Sequence, residues 1–438
     1  MPGAHQSLAA GDALRQALRI RSANAVHVDW TPGARGSARA WRILTAMLER
    51  AAAVPLDVAE EHMRNGQASK VSALELFFDL VFVFTITQLT RVLAQHPGGE
   101  GLLRVSVLLV VIWWMYGGYA WLTNVVAPDR IAYQLSLLGG MAGFLVISLA
   151  VPSAFGAGGL AFGLGYLTVV VVHAGLFTRS RVGASAIAIL KVAPLNVAAA
   201  SMIVAAGILQ GWGNTLLWGL AVAVILLPSL RAPDGRFEIA PSHFVERHGL
   251  VVIIALGESV VAVGVGASAH PLSVELVATA VVGLSLSACL WWSYFGQGED
   301  QRALDAMTVA PAERRPWLAL KAYYHWHLAI LLGIVAAASA LQRAIGAPGD
   351  SLSLARSLSL GGGVALFLAG GTGYRGTLGL GAGPWRIAAT GLALATIPLG
   401  TQISALAQLT CLLAALVICL VLERARPSRD HIGGHQWS

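Results

Sequence analysis

The sequence predicts an all-α integral membrane protein with about twelve transmembrane helices arranged as two parallel six-helix repeats. Three observations predict this class: the composition, the recurrence of long apolar stretches, and matching segments in the two halves. The 438-residue chain is 56% hydrophobic and only 12% charged, and its mean hydropathy is +0.69. Because soluble domains are only about 45–50% apolar, the composition by itself indicates a membrane protein.

Apolar stretches long enough to cross a bilayer recur from residue 74 almost to the end of the chain. A helix of about 20 residues spans about 30 Å of hydrocarbon, and it satisfies its own backbone hydrogen bonds there. The predicted spans cover residues 74–94, 102–125, 131–151, 158–178, 184–208, 213–230, 247–266, 273–296, 317–341, 355–374, 384–402 and 404–422.

Basic residues are distributed unevenly between the two sets of predicted loops. An even number of spans places both termini on one side, and the loops and flanks of that side hold most of the Lys and Arg residues. The other set holds only Arg91, Arg104, Arg343 and Arg356. Retention of positive charge in the cytoplasm predicts cytoplasmic N- and C-termini in a bacterial inner membrane. This rim explains the net charge of +7, so we expect no nucleic-acid partner.

The chain divides into four predicted parts. Residues 1–70 form a basic, Ala/Arg-rich cytoplasmic leader that we expect to be partly disordered, although "ARAWRILTAMLERAAA" could form an interfacial helix. Residues 71–240 and 241–425 are the two repeats, and residues 426–438 are a cytoplasmic tail. Met63 is an alternative start, so it stays open whether residues 1–62 belong to the native protein.

Four pairs of segments carry the evidence for the repeat, in the same order and at offsets of about 171 to 190 residues. They are "ELFFDLVFVFTITQ" with "ERHGLVVIIALGE", "IWWMYGG" with "LWWSYFG", "AYQLSLLGGMAG" with "AYYHWHLAILLG", and "PLNVAAAS" with "PWRIAATG". Six helices per half is an even number, so both halves face the same way. Parallel repeats of this kind form transporters in which the solute binds between the halves.

The segments "LELFFDLVFVFTITQLT" and "FVERHGLVVIIALGESVVAVG", with the Trp-Trp pair between them, closely resemble the bacterial low temperature requirement protein A family. The resemblance covers about residues 70–425. It implies a multi-helix bacterial membrane protein. The family name describes growth in the cold, which is a phenotype and not a mechanism.

Two carboxylates, Glu75 and Asp79, lie four residues apart at the start of the first span and therefore share a helix face. Glu246 and Arg247 begin the matching span of the second half. One interpretation is that these four residues form a cytoplasmic gate. The alternative is that the acids only stabilise a helix N-terminus, bonded to an arginine of the inner rim.

Glu258 lies near the middle of the bilayer and aligns with Gln88 of the first half. It is a candidate proton or cation site on a solute pathway, since buried ionisable groups in membranes mostly mark pathways. Gln88, His325 and His327 are further candidate members of this pathway, and one of the two histidines is a candidate proton relay. The alternatives are a protonated Glu258 that joins two helices and histidines that only pack in the core.

Other chemistries have no sequence support. Cys289, Cys411 and Cys419 lack metal-type spacing, and no Walker, HExxH or GxSxG motif is present. We therefore expect no catalytic residue, no metal and no cofactor, and "GGG" at 361–363 indicates close helix packing. The favoured function is a gradient-driven transporter or channel for an unknown ion or small solute. The alternatives are a non-transporting stress or scaffold protein and a membrane-embedded enzyme, and the oligomeric state stays open.

Overall fold

The computed structural model describes residues 71–125, 131–179, 183–209, 211–229, 239–268, 270–381 and 383–425. Throughout these ranges every regular element is helical, and there is no strand. The predicted leader, including its interfacial helix, and the predicted tail lie outside the described residues. Their boundaries therefore stay predictions.

The first half of the described chain contains six long helices. They are α1 (Ala73–Gln95), α2 (Gly99–Val125), α3 (Ile131–Ala150), α4 (Gly159–Arg179), α5 (Gly183–Ile208) and α6 (Trp212–Ser229). Each begins and ends within a few residues of a predicted span, because the apolar stretches end where the helices end.

The second half is less regular. Its helices are α7 (Pro241–Ser268), α8 (Val274–Phe295), α9 (Glu299–Val309), α10 (Arg315–Gly346), α11 (Leu354–Thr377), α12 (Pro384–Ala395), α13 (Ile397–Gln402) and α14 (Ala405–Ala425). The short helix α9 is polar and lies between two predicted spans. Near its start α10 contains a π-helical stretch, Ala319–Trp326.

Among the described residues, eleven helices are long and apolar enough to cross a membrane: α1 to α8, α10, α11 and α14. The sequence predicts twelve, and the difference lies in the predicted span 384–402. This segment forms α12 and α13, which meet at Thr396. The prediction of an unbroken helix is wrong there because Pro398 has no N–H with which to continue the backbone hydrogen bonds.

Side chains of neighbouring helices bond the backbone near this break. The Ser357 hydroxyl of α11 donates to the Ile397 carbonyl at 2.8 Å. The Gln408 amide of α14 donates in turn to the Ser357 carbonyl at 3.0 Å. At the far end of α13, the Leu352 N–H donates to the Gly400 carbonyl at 2.7 Å. Since Leu352 precedes α11 and α12 follows it, α12 and α13 together run back along α11.

Serine caps and glycine contacts set how the helices begin and pack. Ser72 forms a capping box with Glu75 at the start of α1, which satisfies two backbone donors that a helix end leaves free. Gly333 of α10 faces Gly363 of α11 so closely that a Cβ atom at Gly333 would lie 2.6 Å from the Gly363 carbonyl oxygen. The expectation that the "GGG" segment mediates close helix packing is therefore confirmed.

Reporter fusions test the predicted orientation. Because basic loops stay in the cytoplasm, a reporter fused after Ser438 should give a cytoplasmic signal. One inserted at Gly349, in the loop between α10 and α11, should give an external signal. An insertion at Gly379, in the loop between α11 and α12, is the matched control and should give a cytoplasmic signal. Identical signals at Gly349 and Gly379 would contradict the predicted arrangement of passes.

Candidate functional site

A buried arginine of α7 joins the first helices of the two halves. Arg247 is 1% exposed, and α7 packs against α1. Its Nη1 atom lies 3.0 Å from Glu75 Oε1, and its Nη2 atom lies 3.1 Å from Asp79 Oδ1. One guanidinium therefore faces two carboxylates that are themselves buried, an arrangement that replaces the hydration each charge has lost.

Two further side chains complete this group, which we call the Arg247 cluster: Glu75, Asp79, Tyr116, His243 and Arg247. The Tyr116 hydroxyl donates to Asp79 Oδ1 at 2.6 Å, and His243 Nε2 lies 3.0 Å from Glu75 Oε1. The guanidinium carbon of Arg247 also lies 5.6 Å from the centre of the Tyr116 ring. His243 and Tyr116 thus each place a polar group beside one of the two carboxylates that face Arg247.

Three of the four residues predicted to form a gate meet in this cluster. Glu246 does not join them, because consecutive helical residues point about 100° apart, and its side chain is exposed. Asp79 is fully buried in the protein. Sequence reasoning did not select Tyr116 or His243. Tyr116 had a signal, since "IWWMYGG" places it opposite Tyr294 of "LWWSYFG".

A second polar site lies farther along the same two helices. Glu258 of α7 is 5% exposed and accepts a hydrogen bond from the Thr87 hydroxyl of α1 at 2.7 Å. It lies at the edge of an open cavity of about 470 Å³, which we call the Glu258 cavity. The lining residues are Thr87, Thr90, Arg91, Ala94, Gln95, Glu258, Val261, Ala262, Val265, Gly266, His270, Ser339, Gln342, Arg343, Gly346 and Arg356.

An apolar layer separates the two polar sites. Glu258 follows Arg247 by eleven residues, about 16 Å along a helix. Between these levels the side chains of Phe82, Ile86, Val251 and Ala255 are all at most 1% exposed. We call these four residues the apolar layer. It lies between the level of the Glu258 cavity and the level of the Arg247 cluster on both helices.

Gln88, the predicted counterpart of Glu258, does not line the cavity. Its side chain is buried, and its neighbour Thr87 is the residue of α1 that bonds Glu258. The placing of Gln88 on the solute pathway stays a prediction. Thr87 gave no sequence signal, because a threonine in an apolar helix usually bonds only its own backbone.

The two predicted relay histidines lie in and just after the π-helical stretch of α10, away from the Glu258 cavity. His325 Nδ1 lies 3.0 Å from the Leu320 carbonyl oxygen. His327 Nδ1 lies 2.9 Å from the Ala322 carbonyl oxygen, and its Nε2 lies 2.7 Å from the Tyr294 hydroxyl. Since a carbonyl only accepts, Nδ1 of His327 donates to the Ala322 carbonyl, which leaves Nε2 toward the Tyr294 hydroxyl. The fully buried His327 also faces the His248 ring at 5.7 Å.

A second ionic group ties together helices of the second half. Glu299, at the start of α9, contacts Arg375 of α11 and lies 2.6 Å from Arg302. Arg386 of α12 lies 3.9 Å from Glu299 and bonds Glu423 of α14 at 2.7 Å. We call these five residues the Glu299 cluster. Among the described residues, no group of three or more His, Cys, Asp or Glu side chains is placed to bind a metal.

Replacing Arg247 tests what the Arg247 cluster contributes to stability. Arg247→Met should lower the free energy of unfolding by about 3–5 kcal/mol, because two buried carboxylates lose their cation. Glu75→Gln/Asp79→Asn/Arg247→Met should recover much of this loss, since no charge is then left unpaired. Denaturant unfolding in detergent micelles measures the free energy of unfolding of both variants. The control Glu246→Gln, on the exposed face of α7, should change the free energy of unfolding by at most about 0.5 kcal/mol. An equally small effect of Arg247→Met would contradict the prediction.

Comparison with known proteins identifies the family. A family model described as "Bacterial low temperature requirement A protein (LtrA)" matches residues 70–422. An uncharacterized protein of Rhizobium meliloti (strain 1021) is 29% identical over 347 residues, which are 72% of this chain and 80% of that protein. No solved structure matches the chain. Since the family match covers nearly all of the helical region, the chain belongs to the bacterial low temperature requirement A family.

Proposed function

We propose that this protein is a gradient-driven transporter or channel for an ion or small solute, and that the solute passes between α1 and α7. One observation carries the proposal: the Glu258 cavity and the Arg247 cluster lie on the same two helices, on opposite sides of the apolar layer. This is the arrangement expected of a pathway that is open at one end and closed at the other. No enzyme activity is part of the proposal.

The two-repeat interpretation belongs to this proposal and receives support from helix packing. In the first half the third helix, α3, packs against the first and the fourth, α1 and α4. In the second half the corresponding helix, α10, packs against α7 and α11 in the same way. The proposed pathway then runs between the first helices of two parallel repeats, where transporters of this kind bind their solutes.

The positive-inside rule gives the proposed pathway a direction. The Glu258 cavity contains Arg91, Arg343 and Arg356, which belong to the loop set with few basic residues. In the proposed orientation this cavity opens to the outside, and the Arg247 cluster is the cytoplasmic gate. Both termini are then cytoplasmic.

The free energy needed to separate the ion pairs of the gate is similar to the free energy released when a solute binds. Removing one partner of a buried ion pair costs about 3–5 kcal/mol, and binding of a solute with a Kd near 1 mM releases about 4 kcal/mol. Binding in the Glu258 cavity can therefore offset the separation of Arg247 from its carboxylates. A purely structural scaffold would need the ion pairs but not a cavity on the same helices.

Substitution of Glu258 tests the proposal in proteoliposomes. Glu258→Gln keeps a hydrogen-bonding partner for Thr87, so the protein should fold normally. The pH dependence of solute flux should disappear, because an amide does not titrate. Glu275→Gln, at the exposed start of α8, is the matched control and should behave as wild type.

Two outcomes would count against the proposal. Wild-type flux with unchanged pH dependence in a folded Glu258→Gln protein would remove Glu258 from the pathway. Absence of flux for every ion and small solute tested with the wild-type protein would favour the scaffold or enzyme alternatives.

A further inference from the structure

We propose that the Glu258 cavity binds a small oxyanion, a carboxylate or phosphate, and that the anion enters together with a proton carried by Glu258. This inference rests on the proposed function and names the class of solute. It is carried by the charges of the lining, by one buried hydroxyl without a partner, and by the position of the single acid.

The charged side chains of the cavity lining are three arginines and one glutamate. Arg91 comes from α1, Arg343 from α10 and Arg356 from α11, so three helices converge on one space. With Glu258 ionised, the sum of these charges is +3 − 1 = +2. Asp350 bonds Arg343 at 3.0 Å and reduces the charge that Arg343 offers. Arg91 is close enough to Glu258 for their charges to interact, and no ion pair with an acid is seen for Arg356 among the described residues.

Guanidinium groups favour one class of ligand. Each presents its donors in a planar fork that matches the two oxygens of a carboxylate or phosphate. A metal cation or an ammonium group would instead be repelled by this set. The volume of about 470 Å³ falls within the range of about 300–1,000 Å³ that is typical of small-molecule sites.

Thr90 supplies the independent observation. It lines the cavity at 5% exposure, and its hydroxyl has no hydrogen-bond partner among the described protein groups. Its neighbours Thr85 and Thr87, by contrast, both have hydrogen-bond partners. A buried hydroxyl without a partner is unfavourable, and an oxyanion in the cavity would accept a hydrogen bond from it. The adjacent surfaces of Val261 and Val265 can contact an apolar part of the solute.

The position of Glu258 couples the anion to a proton. An ionised Glu258 repels an anion in the same cavity, whereas a protonated Glu258 can donate a hydrogen bond to it. The other charged or titratable side chains that line the cavity are Arg91, His270, Arg343 and Arg356, and Thr87 already donates to Glu258. The anion therefore binds best with one proton, which makes the pair a proton–anion symport.

An oxyanion can be free in solution or part of a lipid headgroup. The experiment separates these sources by reconstituting the full chain in vesicles of phosphatidylcholine alone and in vesicles that also contain phosphatidylglycerol. The probes are radiolabelled lactate, succinate and inorganic phosphate, with rubidium ion and glycerol as the cationic and neutral comparisons. Uptake is measured with and without an inside-alkaline pH gradient.

The variants are chosen to separate the cavity from the surface around it. Arg91→Gln/Arg356→Gln should lower uptake of the transported anion at least about tenfold, and Thr90→Val about threefold, because each removes donors to the anion. Arg104→Gln is the matched control. Arg104 belongs to the same loop set, lies outside the cavity and pairs with Glu100 at 2.5 Å. It should retain wild-type uptake.

Each outcome decides the inference. Anion uptake that rises with the pH gradient in both lipids and falls in the cavity variants supports it. Flux of rubidium or glycerol that survives those variants overturns the anion assignment and leaves the proposed function intact. Anion uptake without any response to the pH gradient overturns the symport. The last outcome is that no probe is transported, while phosphatidylglycerol raises the unfolding temperature of the wild-type protein but not that of the Arg91→Gln/Arg356→Gln variant. The cavity is then a lipid site, and both proposals fail.

Discussion

The interaction on which the rest of the structure depends is the burial of the Arg247 guanidinium between Glu75 and Asp79. An isolated charge in hydrocarbon is unfavourable by several kcal/mol, so neither the arginine nor the carboxylates can remain there without the others. This requirement fixes α1 against α7 at one level of the membrane. It also constrains their rotation, because the same faces of the two helices bring Thr87 to Glu258 farther along.

The buried charges at the two ends of the α1–α7 pair have different surroundings. At one end both carboxylates lie beside the Arg247 guanidinium, the Tyr116 hydroxyl donates to Asp79, and His243 lies 3.0 Å from Glu75. At the other end Glu258 accepts a hydrogen bond from the Thr87 hydroxyl, and Arg91, Arg343 and Arg356 line an open space beside it. The first arrangement is stable as it stands, and the second is suited to binding. That difference is the physical basis for assigning closure to one end and recognition to the other.

The sequence predicted the helices well and their contacts poorly. Apolar stretches of about 20 residues give the spans because hydrocarbon requires both the length and the composition, and only the span interrupted by Pro398 departs from the pattern. Helical spacing placed Glu75 and Asp79 on one face, but it could not show that Arg247 lies between them. That contact depends on how two helices 171 residues apart are turned toward each other. Likewise, Arg91, Arg343 and Arg356 were informative in sequence only as markers of a side, since convergence of three helices on one cavity is a tertiary property.

The apolar layer also has an electrical consequence. In the proposed orientation, water in the Glu258 cavity carries the potential of the outer solution down to the level of Glu258. The membrane voltage then falls mainly across the apolar layer and the buried Arg247 cluster, instead of across the whole bilayer. A single charge that crosses both works against nearly the full voltage, about 2.3 kcal/mol per 100 mV. The voltage is thus concentrated between the Glu258 cavity and the cytoplasm.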